Sequence, residues 1–310
     1  MARSNRKTLR GASRLTKMGC AALLVLLALS GALVQRARRT EAPALDTLSR
    51  AKAGSAVRLG IANEAPYGYL DTARGRVTGE APELARAVLA RLGITEVTAV
   101  ATEFRSLIPG LRAGRFDVIA AGMYVTPARC AEVAFSDPTY RIGAALMVRA
   151  GNPLSLHSYA DVARDERAVL GLVSGAIEQS YAEAAGVPAT RVLALKDASA
   201  AVDALRAGHI AAYAGTSLTV RDLLRKAQAN DLELAEPFSQ PVVDGQEVYG
   251  YGALAFRVAD VRLRDAFDLE LRRFLGSREH LALVEPFGFT ASELPAGKRA
   301  RELCAAKESS

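Results

Sequence analysis

The 310-residue chain has no tryptophan, three histidines, three cysteines and only 6% aromatic residues. His157, His209 and His280 are widely separated, and no Cys/His/carboxylate group has metal-ligand spacing, so nothing points to zinc. A glycine-rich phosphate loop is also missing, which leaves nucleotide chemistry without a motif. Positions 1–40 contain no acidic residue, yet Arg3, Arg6, Lys7, Arg10, Arg14, Lys17, Arg36, Arg38 and Arg39 are all basic. Without these nine the chain keeps 31 basic and 33 acidic residues, a net charge of −2 in place of +7. The basic balance therefore belongs to the leader. With no basic patch interleaved with aromatics elsewhere, it gives no ground for nucleic acid as a partner.

Between the basic clusters runs the apolar segment 20–34, fifteen residues long. That is short for a membrane span and suits the apolar region of a secretion signal. Cys20 opens the run instead of following it, so it is badly placed for lipid attachment. The pattern predicts export with cleavage near residues 35–45; the basic cluster Arg36–Arg39 leaves a retained anchor as the alternative. About 265 residues follow, enough for two lobes of ordinary size. They carry two cysteines, Cys130 and Cys304, which either pair in an oxidising compartment or remain free thiols.

After residue 55, strand and helix patterns alternate, which predicts an α/β fold with mostly parallel sheets. Residues 57–62 read as the first strand. Residues 80–92 read as a helix with Leu84, Val88 and Leu92 on one face and Gly93 as its stop. A second helix spans 104–112 and leads into a strand over 117–122. Leu111-Arg112-Ala113-Gly114-Arg115 before one strand is echoed by Leu205-Arg206-Ala207-Gly208-His209 before another, at 210–214, and 169–173 echoes the first strand. Two similar lobes are the simplest source of such a repeat. Extended apolar segments at 143–148 and 248–256 then become paired crossovers, with an amphipathic helix over 261–275 returning to the first lobe. Paired crossovers permit hinge closure on a ligand in the cleft. The expected boundaries are a signal peptide or anchor at 1–40, the first part of lobe 1 at 55–146, lobe 2 at 147–248, the completion of lobe 1 at 249–290, and a C-terminal tail at 291–310.

The densest cluster of signals is Ala121-Gly122-Met123-Tyr124-Val125-Thr126-Pro127-Ala128-Arg129, followed by Phe135-Ser136-Asp137-Pro138. Thr126 reads as a helix N-cap with Pro127 at the first helical position. Arg129 then falls in the first turn, where a cation opposes the helix dipole unless an anion binds beside it. The plainer alternative is a solvated Arg beside a core Tyr.

These segments occur in a familiar order: Asn63-Glu64-Ala65-Pro66-Tyr67-Gly68-Tyr69, Gly79-Glu80-Ala81-Pro82-Glu83-Leu84, Asp117-Val118-Ile119-Ala120-Ala121-Gly122, Thr126-Pro127-Ala128-Arg129 and Phe135-Ser136-Asp137-Pro138. Over roughly residues 55–290 the chain resembles the polar amino-acid binding proteins of bacterial ABC importers, most of all the ectoine/hydroxyectoine-binding type. The resemblance implies a two-lobed type II periplasmic-binding-protein fold. It implies a small zwitterionic ligand, ABC permease subunits as partners, and location in the periplasm or on the outer face of the cytoplasmic membrane. No cofactor, no catalytic residue and a monomer are expected.

On the family pattern, Arg129 clamps the ligand carboxylate with help from Thr126, and Glu64 faces the ligand cation. Tyr67, Phe104 and Tyr124 supply aromatic faces. The turn Val173-Ser174-Gly175-Ala176 offers N–H groups at Ser174 and Ala176, and Asp197 is a polar contact before the helix 199–206. Of the alternating pair, Tyr67 is expected in the cleft and Tyr69 in packing. One departure concerns the strand ending at Tyr213-Ala214. It runs into Gly215-Thr216-Ser217, where amino-acid binders carry an Asp for the α-ammonium. Losing a charge-assisted partner costs about 1.5–3 kcal/mol, whereas a diffuse cation gains about 0.5–2 kcal/mol per aromatic face. The pattern therefore favours ectoine or hydroxyectoine over another polar amino acid. A dehydratase on the same fold is a weaker alternative, since no cleft histidine occurs in a motif. A receptor sensor domain would need a second membrane span and a signalling domain, and the sequence contains neither.

Overall fold

The computed structural model describes residues 46–228, 230–243 and 246–305. The expected leader at 1–40 lies outside them. After helix α1 (Thr47–Lys52), the first sheet begins with β1 (Val57–Ile61). A hairpin of β2 (Tyr69–Asp71) and β3 (Arg76–Thr78) leads to α2 (Glu80–Arg91) and β4 (Val97–Ala101). Leu84, Val88 and Leu89 are fully buried on α2, each of them contributing about 1.5–3 kcal/mol. Gly93, at φ 77°, turns the chain out of the helix.

The expected helix over 104–112 divides in two. Phe104–Ser106 is a 3₁₀ turn and only α3 (Leu107–Arg112) is α-helical. Pro109 accounts for the break, because its ring excludes an α-type bond to the carbonyl of Arg105. The strand expected over 117–122 shortens to β5 (Val118–Ile119), and Gly122 at φ 66° has left the extended region. Then come α4 (Pro127–Cys130), β6 (Ala134–Phe135), β7 (Tyr140–Ile142) and β8 (Ala144–Arg149).

The middle of the chain comprises α5 (Tyr159–Arg164), β9 (Leu170–Val173), α6 (Glu178–Ala184), β10 (Val192–Leu195) and α7 (Ala200–Ala207). It continues through β11 (Ala212–Thr216), α8 (Ser217–Ala227), β12 (Leu232–Leu234) and a short hairpin of β13 (Val242–Val243) and β14 (Gln246–Glu247). The chain returns through β15 (Gly250–Gly252) and β16 (Ala255–Phe256), and closes with α9 (Val261–Phe274), α10 (Arg278–Val284) and α11 (Ala300–Ala305).

Two five-stranded sheets result, ordered β4-β1-β5-β16-β6 and β10-β9-β11-β8-β12. In each, three neighbouring strands are parallel: β4, β1 and β5 in the first, β10, β9 and β11 in the second. The strand that arrives from the crossover pair is antiparallel to them, β16 in one sheet and β8 in the other. Between the sheets, β7 and β15 pair antiparallel, Gly250 opposite Ile142 and Gly252 opposite Tyr140. The inner strands β1 and β5 of the first sheet and β8, β9 and β11 of the second are buried nearly throughout and read as almost continuous apolar runs, whereas the edge strands β4 and β10 are largely exposed.

Asp137 fills a structural role at the back of the first sheet. Its carboxylate accepts from Arg299 (2.7 Å), Arg272 (3.1 Å) and the N–H of Ala300 (3.1 Å), fastening the C-terminal segment. A disulfide joins Cys130 to Cys304, with Cα atoms 5.7 Å apart. The end of α4 is thereby tied to α11.

Candidate functional site

A narrow cleft with about 390 Å³ of atom-free space, partly open to solvent, separates the two sheets. Glu64, Tyr67, Phe104, Tyr124 and Arg129 line it from the first sheet's side, and Ala176, Glu178, Tyr213 and Thr216 from the second's. Local geometry delivers each group. The backbones of Glu64 and Gly68 exchange hydrogen bonds of 2.9 Å beyond β1, so the intervening turn projects Tyr67 inward. Tyr67 packs over Gly122, where a Cβ would come within 2.5 Å of its ring. Tyr69, by contrast, lies beneath the ammonium of Lys226, 4.7 Å from its ring centroid. Phe104 enters on its 3₁₀ turn.

Thr126 caps α4 as its sequence suggests, its hydroxyl accepting from the N–H of Arg129 at 3.3 Å. At four residues, α4 is too short to supply a useful dipole. Any grip on an anion must therefore come from the Arg129 guanidinium. That group donates to the carbonyls of Tyr124 (2.9 Å) and Gly175 (3.1 Å), and lies 5.4 Å from the Phe104 ring centroid. Burial pulls Arg129 below its ordinary value, and the charge of Glu178 opposes this.

Among the described residues three hydrogen bonds cross the cleft: Arg129 to Gly175, Tyr67 Oη to Thr216 Oγ1 (2.7 Å) and Thr219 Oγ1 to Glu64 Oε1 (2.9 Å). The junction of β11 and α8, where no carboxylate stands, thus bears the two threonine hydroxyls, of Thr216 and Thr219, that meet Tyr67 and Glu64. Burial pushes the Glu64 carboxyl up to about 7, with the Thr219 bond opposing and the charge of Asp197 assisting. Burial likewise raises Glu178 to about 7.

Three residues expected to touch a ligand are not among the cleft-lining groups. Thr126 is occupied as a cap. The N–H of Ser174 donates to Leu195 O at 3.0 Å, and that of Ala176, which does line the cleft, to Val173 O at 3.0 Å. Of the expected pair of free N–H donors, one is taken by the neighbouring strand β10 and the other by the turn itself. Asp197 caps α7, accepting from the Ser199 hydroxyl (2.6 Å) and the Ala200 N–H (3.2 Å). A short carboxylate committed to a helix start does not reach the cleft.

Conversely, Glu178, Tyr213 and Thr216 line the cleft without having been singled out in the sequence. Glu178 carries no distinctive signal, because an acid in the first turn of a helix ordinarily faces water and complements the dipole. Among the described residues no helix is long and apolar enough to cross a membrane.

Residues 57–288 match the bacterial extracellular solute-binding proteins, family 3. The chain is 37% identical over 262 residues to the probable amino-acid ABC transporter periplasmic-binding protein y4tE of Sinorhizobium fredii, covering 83% of this chain and 86% of that one. Among solved structures it is similar to EhuB in complex with hydroxyectoine: TM-score 0.76, 39% identity, 85% of this chain and 100% of that chain. The ancestral amino-acid-binding protein AncCDT-1, a precursor of cyclohexadienyl dehydratase, shares the fold (TM-score 0.67, 22% identity, 78% of this chain and 99% of that one). The fold is the type II periplasmic-binding-protein fold, its two halves each built on one five-stranded sheet. The chain belongs to family 3 of the bacterial extracellular solute-binding proteins.

Proposed function

We propose that this chain is the extracytoplasmic receptor of an ABC importer for a compact zwitterion, ectoine or hydroxyectoine. It is exported on its basic-apolar leader and works as a monomer. The segments 55–143 and 249–290 form one lobe and 144–248 the other, because all of β8 (Ala144–Arg149) pairs in the second sheet and a boundary at 146 would cut that strand. The lobes close on the solute before it passes to the membrane permease. The carrying observation is that one narrow cleft holds the Arg129 guanidinium, the Glu64 carboxylate and the rings of Tyr67, Phe104 and Tyr124. A guanidinium suits a carboxylate, and aromatic faces suit a delocalised cation. The hydroxyls of Thr216 and Thr219, at the end of β11 and the start of α8, offer no charge to an α-ammonium, which favours a diffuse cation. The likeness to a protein solved with hydroxyectoine supports the same choice. In this role Thr126 and Asp197 act on the ligand indirectly, by holding Arg129 and the start of α7. Ser174 acts through its turn, which presents Ala176 and the Gly175 carbonyl.

Isothermal titration of the purified protein with ectoine, hydroxyectoine, proline, glycine betaine, glutamine and arginine tests the proposal. The tightest binding is expected for ectoine or hydroxyectoine. Tight binding of arginine or glutamine with no heat from ectoine would replace the solute but keep the receptor. A dehydratase draws support from the carboxyls poised near neutrality, which suit acid catalysis; product formed from prephenate or arogenate would establish it.

A further inference from the structure

The repeat of Leu111-Arg112-Ala113-Gly114-Arg115 in Leu205-Arg206-Ala207-Gly208-His209 runs on in step to Asp117 in one half and Ala211 in the other. Its tertiary setting repeats as well. β16 lies antiparallel to β5 with Phe256 opposite Val118, and β8 lies antiparallel to β11 with Val148 opposite Ala212. Continuing each register by one residue sets Arg257 against Asp117 and Arg149 against Ala211. The two arginines also share a backbone partner. Arg257 donates to the carbonyl of Leu111 at 3.4 Å, and Arg149 to that of its counterpart Leu205 at 2.8 Å.

The halves differ in the carboxylate. In the first sheet Asp117 is fully buried and accepts from Arg257 at 2.9 Å and Arg58 at 3.0 Å. In the second, Ala211 stands where Asp117 would, and Val169, one residue before β9, stands where Arg58 would. The cation of the crossover strand is thus present in both halves and its acid in one. At that place lies a pocket with about 600 Å³ of atom-free space, partly open to solvent. Arg149, Arg167 and His209 line it together with the apolar Leu154, Val169 and Ile210, and no carboxylate is among the described residues that line it. Arg167 is engaged by Asp165 at 2.6 Å, which leaves Arg149 as the guanidinium facing an unfilled place. Val169 and Ala211 precede β9 and β11, whereas the cleft lies at the other ends of these strands, at Val173 and Thr216.

We propose that this pocket is a second binding site, for a small carboxylate with a short apolar body. The bound carboxylate takes the place that the Asp117 side chain takes in the first sheet and forks onto the Arg149 guanidinium. Its apolar body lies against Leu154, Val169 and Ile210, and the His209 ring offers a further N–H donor. The site is distinct from the cleft and does not depend on which solute the cleft holds.

The test is a nuclear magnetic resonance titration of the full-length protein with isotope-labelled butyrate, beside butyramide, which has nearly the same shape without the charge. Butyrate is expected to bind with a dissociation constant on the order of millimolar, and butyramide at least tenfold more weakly. Arg149→Gln is expected to lower butyrate affinity at least tenfold, or about 1.4 kcal/mol. Ala211→Asp supplies the acid from within the chain and is expected to lower it as much, by filling the place. Arg129→Ala, which removes the guanidinium of the cleft, is expected to bind butyrate as the wild type does. Unchanged butyrate affinity in Arg149→Gln, or affinity lost in Arg129→Ala, would overturn the inference, as would a wild type that binds butyramide equally well or butyrate not at all. If Ala211→Asp does not fold, Arg149→Gln decides, because the Arg149 side chain is exposed and its loss opens no core.

Discussion

Gly250 in β15 lies against the face of Tyr124. A Cβ at this position would stand 1.7 Å from Cε2 and 2.0 Å from Cζ of the ring, far inside contact distance. The backbone has little room to retreat: Gly250 is paired with Ile142, and the neighbouring Tyr251 carbonyl accepts from the N–H of Val125 at 2.9 Å. Tyr124 is held in turn by its bridge to Gly252, so the ring itself must move. Tyr140 packs on another side, 6.4 Å between centroids, and the open direction is the cleft. Gly250→Ala is therefore expected to cost about 1–3 kcal/mol of stability through overpacking. That corresponds to roughly 2–12 °C in melting temperature for a unit of this size. The displaced ring is also expected to weaken zwitterion binding at least tenfold, or about 1.4 kcal/mol. Calorimetric melting and titration measure the two effects. The double variant Gly250→Ala/Tyr124→Leu should regain stability over Gly250→Ala alone, a coupling that a thermodynamic cycle resolves. If Gly250→Ala melts and binds like the wild type, Tyr124 is not seated on the crossover strand and the reasoning fails.

Arg129→Ala is expected to weaken zwitterion binding at least tenfold by titration. Arg129→Lys should recover little, because an ammonium lacks the fork that spans the Tyr124 and Gly175 carbonyls. Cys304→Ser is expected to lower stability by about 2–5 kcal/mol in denaturant melts, since the bond closes a loop of sequence separation 174. Two alkylatable thiols in the native wild type would refute that pairing. Burial raises Glu80 to about 8 against the opposing bond from the Thr139 hydroxyl (2.9 Å). The folded chain holds this proton between about pH 4.5 and 8 while the unfolded chain does not, so stability falls as pH rises through that window. Glu80→Gln should flatten the slope by about 1.4 kcal/mol per pH unit. An unaltered slope in pH-dependent urea melts would place the titration elsewhere.

The elements most legible in the sequence were those fixed by near neighbours. The buried face of α2, the Thr126 cap with Pro127 behind it, and the glycine stops at Gly93 and Gly208 each follow from a few consecutive residues. Boundaries failed where a local signal was overruled: Pro109 divided an apparently single helix, and Gly122 cut short an apparently long strand. Ser174 and Asp197 lie outside the cleft lining: sequence names a donor or a carboxylate without saying whether a neighbour has already taken it. The Leu195 carbonyl and the start of α7 had done so.

Sequence by itself determined the alternation of strands and helices, the family, and the aromatic and cationic groups Tyr67, Phe104, Tyr124 and Arg129 that line the cleft. Periodicity, caps and ordered motifs are properties of contiguous chain, and they survive without coordinates. Tertiary structure decided which groups share a cavity and how each is charged. Glu178 reads as an ordinary solvated acid until the fold turns it inward beside Glu64, where burial raises both carboxyls toward neutrality. Desolvation and charge pairing depend on what lies across space, and residues more than a hundred positions apart in the chain supply it.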